Sequence, residues 1–168
     1  IKAESSFSPT ALSPVGAVGL MQLMPATAAI VLDGKGNKGG ADRLTRPEVN
    51  IRAGVKHLKD LLALYDGNPV AAIAAYNAGA GNVNKWRKRF GALPPDQFIE
   101  SIPFGETREY VKRVLATADI YNRLYHIGRP ISFSQLATSP DTASSRVTSA
   151  APAMESRLAA GTSPDISN

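Results

Sequence analysis

From Pro47 to Tyr125 apolar positions recur mostly at spacings of three and four, and no stretch alternates strictly enough to predict a strand. Ile51, Val55, Leu58, Leu62 and Tyr65 predict an amphipathic helix that starts at Pro47, after Thr45 or Arg46, and stops near Asp66-Gly67. In this phase His57 falls on the polar side. Asn68-Pro69 pairs a capping side chain with a proline suited to a first helical turn, so another helix starts there. It runs through VAAIAAYNAGAGNV, whose small side chains let other backbones come close, and this puts it near the centre of the fold. Gly79 and Gly81 should end or break it. Asn82 to Phe90 reads as a short basic helix, Leu93-Pro94-Pro95 as a connector and Asp96 to Ser101 as one more turn. Ile102-Pro103-Phe104-Gly105 leads into a last helix, Glu106 to Tyr125. Tyr110, Val114 and Ala118 (or Val111 and Leu115), with Tyr121 and Tyr125, form its apolar side.

The N-terminal part is more broken. Ile1 to Phe7 reads as the last turns of a helix, stopped by Pro9, which disfavours helical geometry at Ser8. Pro14 and Gly16 keep the next stretch irregular. Gly19 to Leu32 reads as helix in two pieces, interrupted at Pro25. Asp33 to Gly40 (DGKGNKGG) is a loop, with room for a minor hairpin, but without the spacing or the Lys-Ser/Thr ending of a phosphate loop. The body is therefore expected to be all-α. After Phe133 the chain is Ser, Thr, Ala and Pro with few large apolar groups, too little to offset ordering entropy. The expected organisation is one domain over 1–133 and a low-complexity, disordered tail over 134–168.

Composition narrows the function classes. A chain of 168 residues with 43% apolar and 20% charged residues can bury a real core. No run of eighteen apolar residues is present to span a membrane. With no cysteine, a disulfide framework and a Cys-based metal site are excluded. His57 and His126 have no Asp arranged with them for a metal, and no cofactor is expected. The chain starts within an expected helix and without Met, so it reads as a fragment or a processed chain. The tail holds Arg146 and Arg157 against Asp141, Glu155 and Asp165, so the body is more basic than the whole-chain net of +5. A basic body suits an anionic partner such as cell wall, membrane surface or nucleic acid, or serves solubility alone. Lys85, Arg87, Lys88 and Arg89 around Trp86 concentrate that charge, either as a nucleic-acid patch or as a solvated helix face, with Trp86 as a core anchor.

One carboxylate stands out. Glu4 sits among Ile1, Phe7, Leu20, Met21 and Met24, which can build an apolar wall. Such a wall raises a carboxyl pKa and lets it act as a general acid. The plainer reading is a surface glutamate at a helix end. Ordinary glycosidases need a second carboxylate, and only Asp33 and Asp42 flank the Gly-rich loop, with nothing to bring them to Glu4. A lone acid suffices where the sugar's own acetamido group assists.

Three ordered motifs resemble the soluble lytic transglycosylases, lysozyme-like enzymes that cleave peptidoglycan. The first is Glu4-Ser5, Ser8-Pro9, Ser13-Pro14, Gly16-Ala17 and Gly19-Leu20-Met21-Gln22, followed by Met24-Pro25 and Thr27-Ala28. The second is Ala75-Tyr76-Asn77-Ala78-Gly79, and the third is the run from Ile102 to Val111, IPFGETREYV. The resemblance covers Ile1 to about Phe133. It implies an all-α, lysozyme-like domain of the goose-type kind with a substrate cleft, and Glu4 as acid and then base. Ser13, Gln22 and Met24 would line the cleft, though a helix cap, a solvated amide and core packing are their plainer roles. The resemblance also implies that Tyr76 offers its hydroxyl to Glu4, that Asn77 braces the turn at Gly79 or meets sugar, and that Glu106 sits at the cleft rim. Arg108 would pair with a carboxylate or with substrate. The product would be a 1,6-anhydro-muramic end, made in the periplasm or cell envelope. The implied partners are glycan strands and other cell-wall enzymes, with no nucleic acid. In the family the catalytic helix starts several residues before its Glu, so a chain extended upstream is expected to be more stable and more active. A hydrolytic muramidase of the same fold and a non-catalytic wall-binding module are the competing functions.

Overall fold

The computed structural model describes residues 1–33 and 41–125. The expected Gly-rich loop (its residues 34–40), His126 and the tail expected over 134–168 lie outside them. Among the described residues the helices are α1 (Lys2–Ser5), α2 (Pro25–Asp33), α3 (Ala41–Leu44), α4 (Pro47–Leu64), α5 (Pro69–Ala78), α6 (Ala80–Phe90), α7 (Pro95–Glu100) and α8 (Gly105–Tyr125).

Helix α5 is the axis of the packing. Asn68 caps it by accepting the Ala71 N–H at 3.0 Å, and Pro69 opens its first turn, as the sequence predicts. Val70 to Tyr76 and Ala78 are all buried, so the helix is covered on every side. A helix apolar all round belongs inside a protein. Here its alanines let α4, α6 and α8 approach closely. It ends at Gly79, whose φ of 84° and ψ of 147° suit glycine alone, and α6 starts from that same residue. Trp86 is buried on α6 and meets Phe104 edge-on, 5.1 Å between ring centroids, so it anchors the core. Lys85, Lys88 and Arg89 lie on the exposed side of the same helix.

Three expectations need correction. Helix α4 has the expected span, but its buried face is Asn50, Ala53, Gly54, His57 and Leu61, continued by Tyr65 beyond its end. Ile51 and Val55 are exposed, and His57 is buried rather than on the polar side. The inward face meets a tightly apposed loop, where small and hydrogen-bonding residues fit and branched apolar ones do not. Second, Gly19 to Met24 is not helical. It forms turns with isolated bridges pairing Leu12 with Val18 and Val18 with Leu23, and helix begins only at Pro25. Third, α1 stops at Ser5, well before Pro9. Ser6 and Phe7 take left-handed φ values of 50° and 67°, which turn the chain out of the helix. Phe7, expected in the apolar wall around Glu4, is exposed, as are Tyr121 and Tyr125, expected on the apolar side of α8. Tyr121 and Tyr125 stack on each other.

Candidate active site

Two side chains tie α1 to other elements. The Ser5 hydroxyl donates to the Leu20 carbonyl at 2.9 Å, and Glu4 Oε1 accepts the Tyr110 hydroxyl of α8 at 2.6 Å. Glu4 is half-buried and Tyr110 buried. Burial, then the Glu4 charge and the hydrogen bond to it, push the Tyr110 phenol far above its usual pKa. Tyr110 therefore stays protonated and serves Glu4 as a fixed donor. The sequence reading put Tyr110 on the packing face of α8 and missed this role. The available signal was its place in the third motif, one turn after Glu106.

Tyr76 is buried on α5, and its hydroxyl donates to the Met21 carbonyl at 2.9 Å. The Met21 carbonyl is an acceptor that the sequence did not predict for this hydroxyl. His57 packs on the Tyr76 ring, 5.2 Å between centroids, and burial lowers its pKa. Gln22 is buried, not solvated. With φ at 46°, it turns its Nε2 to the carbonyls of Ala11 (3.1 Å) and Gly19 (3.0 Å). Ser13 Oγ accepts the Ala17 N–H at 2.9 Å and so caps its own turn. Met24 is half-buried and its carbonyl starts α2 by accepting the Ala28 N–H.

The third motif ties α8 to the core. Asn77 Oδ1 accepts the Thr107 hydroxyl at 2.6 Å, which braces α5 against the start of α8. Arg108 Nη1 donates to the carbonyls of Glu100 and Ile102 and so closes the end of α7. Glu106 is exposed in the first turn of α8, one turn before Tyr110 and on the same face. The structure thus brings Glu4, Met21, Tyr76 and Tyr110 into one linked cluster. Gln22 and Ser13 shape the loop beside it, and Glu106 stands outside it.

Comparison with known proteins identifies the family. Residues 1–99 match the family described as "Transglycosylase SLT domain". The chain belongs to the SLT transglycosylase family. Residues 101–129 match a second model, "Soluble lytic transglycosylase helical domain". The soluble lytic murein transglycosylase of Salmonella typhimurium is 44% identical over 123 residues, which cover 71% of this chain and 19% of that protein. The Escherichia coli protein is 41% identical over 137 residues, covering 78% and 21%. An inactive Glu→Gln mutant of lytic transglycosylase Slt from Pseudomonas aeruginosa superposes with a TM-score of 0.71 at 44% identity, covering 77% of this chain and 21% of that one. The 70-kDa soluble lytic transglycosylase in complex with bulgecin A gives a TM-score of 0.71 at 40% identity, covering 78% and 22%. The fold is thus the all-α, lysozyme-like domain of SLT proteins. The chain spans about a fifth of the length of these relatives. The boundary between the two matched models falls just before α8, yet α8 supplies Tyr110 to Glu4, so the two matched segments build one site.

Proposed function

We propose that this chain is the catalytic domain, over 1–133, of an enzyme that cleaves the β-1,4 bond between N-acetylmuramic acid and N-acetylglucosamine in peptidoglycan without consuming water. The observation that carries this is Glu4 held at Oε1 by a buried phenol, in a family whose relatives are named lytic murein transglycosylases. Glu4 gives its carboxyl proton to the departing sugar oxygen. The substrate's acetamido oxygen supports the positive centre at C1. Glu4, now ionised, takes the proton from the muramic 6-hydroxyl, which closes on C1 as the 1,6-anhydro ring. Proton count balances over the two halves. Peptidoglycan strands place the reaction in the periplasm or cell envelope, and the basic body suits that anionic polymer. Gln22, Ser13, Met24, Asn77 and Glu106 shape or border the cleft.

The test is Glu4→Gln on purified peptidoglycan with mass spectrometry of the digest. Wall binding should persist while anhydro-muropeptide release falls to near background, because an amide has no proton to give. Turnover within a few-fold of the parent sinks the assignment, and reducing ends in the parent digest mean hydrolysis instead.

A further inference from the structure

We propose that Asn50 is a positioning residue for Glu4, acting through the Leu20–Met21 peptide and Ser5. The proposal rests on Glu4 as the acid of the reaction above. Asn50 lies on α4 and is completely buried. Its Nδ2 donates to the carbonyls of Val18 (2.9 Å) and Leu44 (2.8 Å), and its Oδ1 accepts the Met21 N–H at 2.7 Å. The side chain thus uses two donors and one acceptor, the set that a neutral amide offers and that neither a carboxylate nor a hydroxyl can match. Gly19 leaves room for it, since a Cβ there would strike the Asn50 amide and the Leu44 carbonyl.

The Met21 N–H and the Leu20 carbonyl are the two ends of one peptide group. Asn50 holds the first, and the second accepts the Ser5 hydroxyl. Ser5 adjoins Glu4 in a helix of one turn. A buried amide on a long, well-packed helix therefore sets the height of a peptide that sets the hydroxyl beside the acid. Engaging both ends of a peptide group strengthens each bond. From the next peptide, the Met21 carbonyl is fixed by Tyr76.

The experiment compares Asn50→Ala, Asn50→Asp, Ser5→Ala and the Ser5→Ala/Asn50→Ala double variant. Each is read as kcat and KM per folded molecule on soluble glycan strands. Asn50→Ala should lower kcat about tenfold with KM within about twofold, the scale of a small misplacement of a reacting group. Asn50→Asp keeps an oxygen for the Met21 N–H and should restore most of kcat, although it loses stability. Ser5→Ala should match Asn50→Ala, and the double variant should be no slower than the slower single, because both cut one relay. Equal kcat in Asn50→Ala and Asn50→Asp, or multiplying losses in the double variant, would mean a structural residue only. Ser5→Ala removes one hydroxyl from a half-buried site and is read even if Asn50→Ala does not fold; kcat within twofold of the parent overturns the proposal. A parent that releases no anhydro product strikes only the reaction assigned to Glu4. The relay is then read by 13C NMR titration of the Glu4 carboxyl: a midpoint displaced in the same direction by Ser5→Ala and the Asn50 variants supports it, and an unmoved one refutes it.

Discussion

Tyr76 and Tyr110 are both buried phenols, and the acceptor each one faces divides their roles. Tyr110→Phe removes the donor that fixes the acid, so turnover per folded molecule should drop by about tenfold or more, and the lost bond to a charged acceptor, worth ~1.5–3 kcal/mol, should lower the melting temperature as well. Tyr76→Phe leaves the Met21 carbonyl without that donor, which costs ~1–3 kcal/mol and should appear as a lower melting temperature. Anhydro-muropeptide release and thermal melts on both variants check the contrast. Reversed outcomes would exchange the roles. Sequence motifs singled out Glu4 but not the Tyr110 hydroxyl that donates to it, because that contact depends on how α8 lies against α1. His57 gives a pH prediction. Burial lowers its pKa, with Asp60 opposing and Lys56 assisting, so the unfolded chain binds its proton more readily than the folded one. His57 should therefore leave stability intact above its ordinary value of 6.5 and reduce it as the pH falls below that value. Melting temperatures from pH 8 down to 5 should fall less steeply in His57→Gln than in the parent.

At the scale of elements, caps and breakers were the most legible features. Asn68-Pro69 and Gly79 fix the ends of α5 through local chemistry that needs no neighbour. Gly79→Ala should cost ~1–3 kcal/mol, because an alanine there is held in a backbone region nearly reserved for glycine. Chemical denaturation should show a lower midpoint with unchanged slope, and an unchanged midpoint would mean that the turn relaxes freely. The face of α4 was less legible. Its apolar residues predicted one phase, but Asn50, Gly54 and His57 face inward because the 18–24 loop and Tyr76 lie against them. Periodicity of apolar residues cannot register a face chosen for hydrogen bonding and close approach. The same limit explains the loop itself, where Leu20, Met21 and Leu23 imitate a helix while left-handed Gly19 and Gln22 make turns.

At the scale of the molecule, the all-α class was readable because the long helices α4, α5 and α8 show apolar spacing or capping signals of their own. The union of the two matched segments was not readable, because it depends on contacts between residues as far apart as Glu4 and Tyr110. A chain cut before Gly105 should lose the cover over α5 and the Thr107–Asn77 brace as well as the phenol on Glu4. It should show no cooperative thermal transition by circular dichroism. A sharp transition near that of the parent would mean that the first segment is a domain by itself.

The bonds that hold Glu4 have a consequence on warming. Glu4 and Ser5 are tied to Tyr110 and Leu20, so the acid keeps its place only while α8 and the 18–24 turns keep theirs. Heat that loosens those turns should release it before the main body melts. Turnover should then decline, reversibly, over a range in which the helical circular dichroism of the body is still native, and the optimum temperature should lie below the onset of global unfolding. Amide exchange should find Glu4 and Ser5 opening far more often than α5. Enzyme and fold would then fail at two separate temperatures.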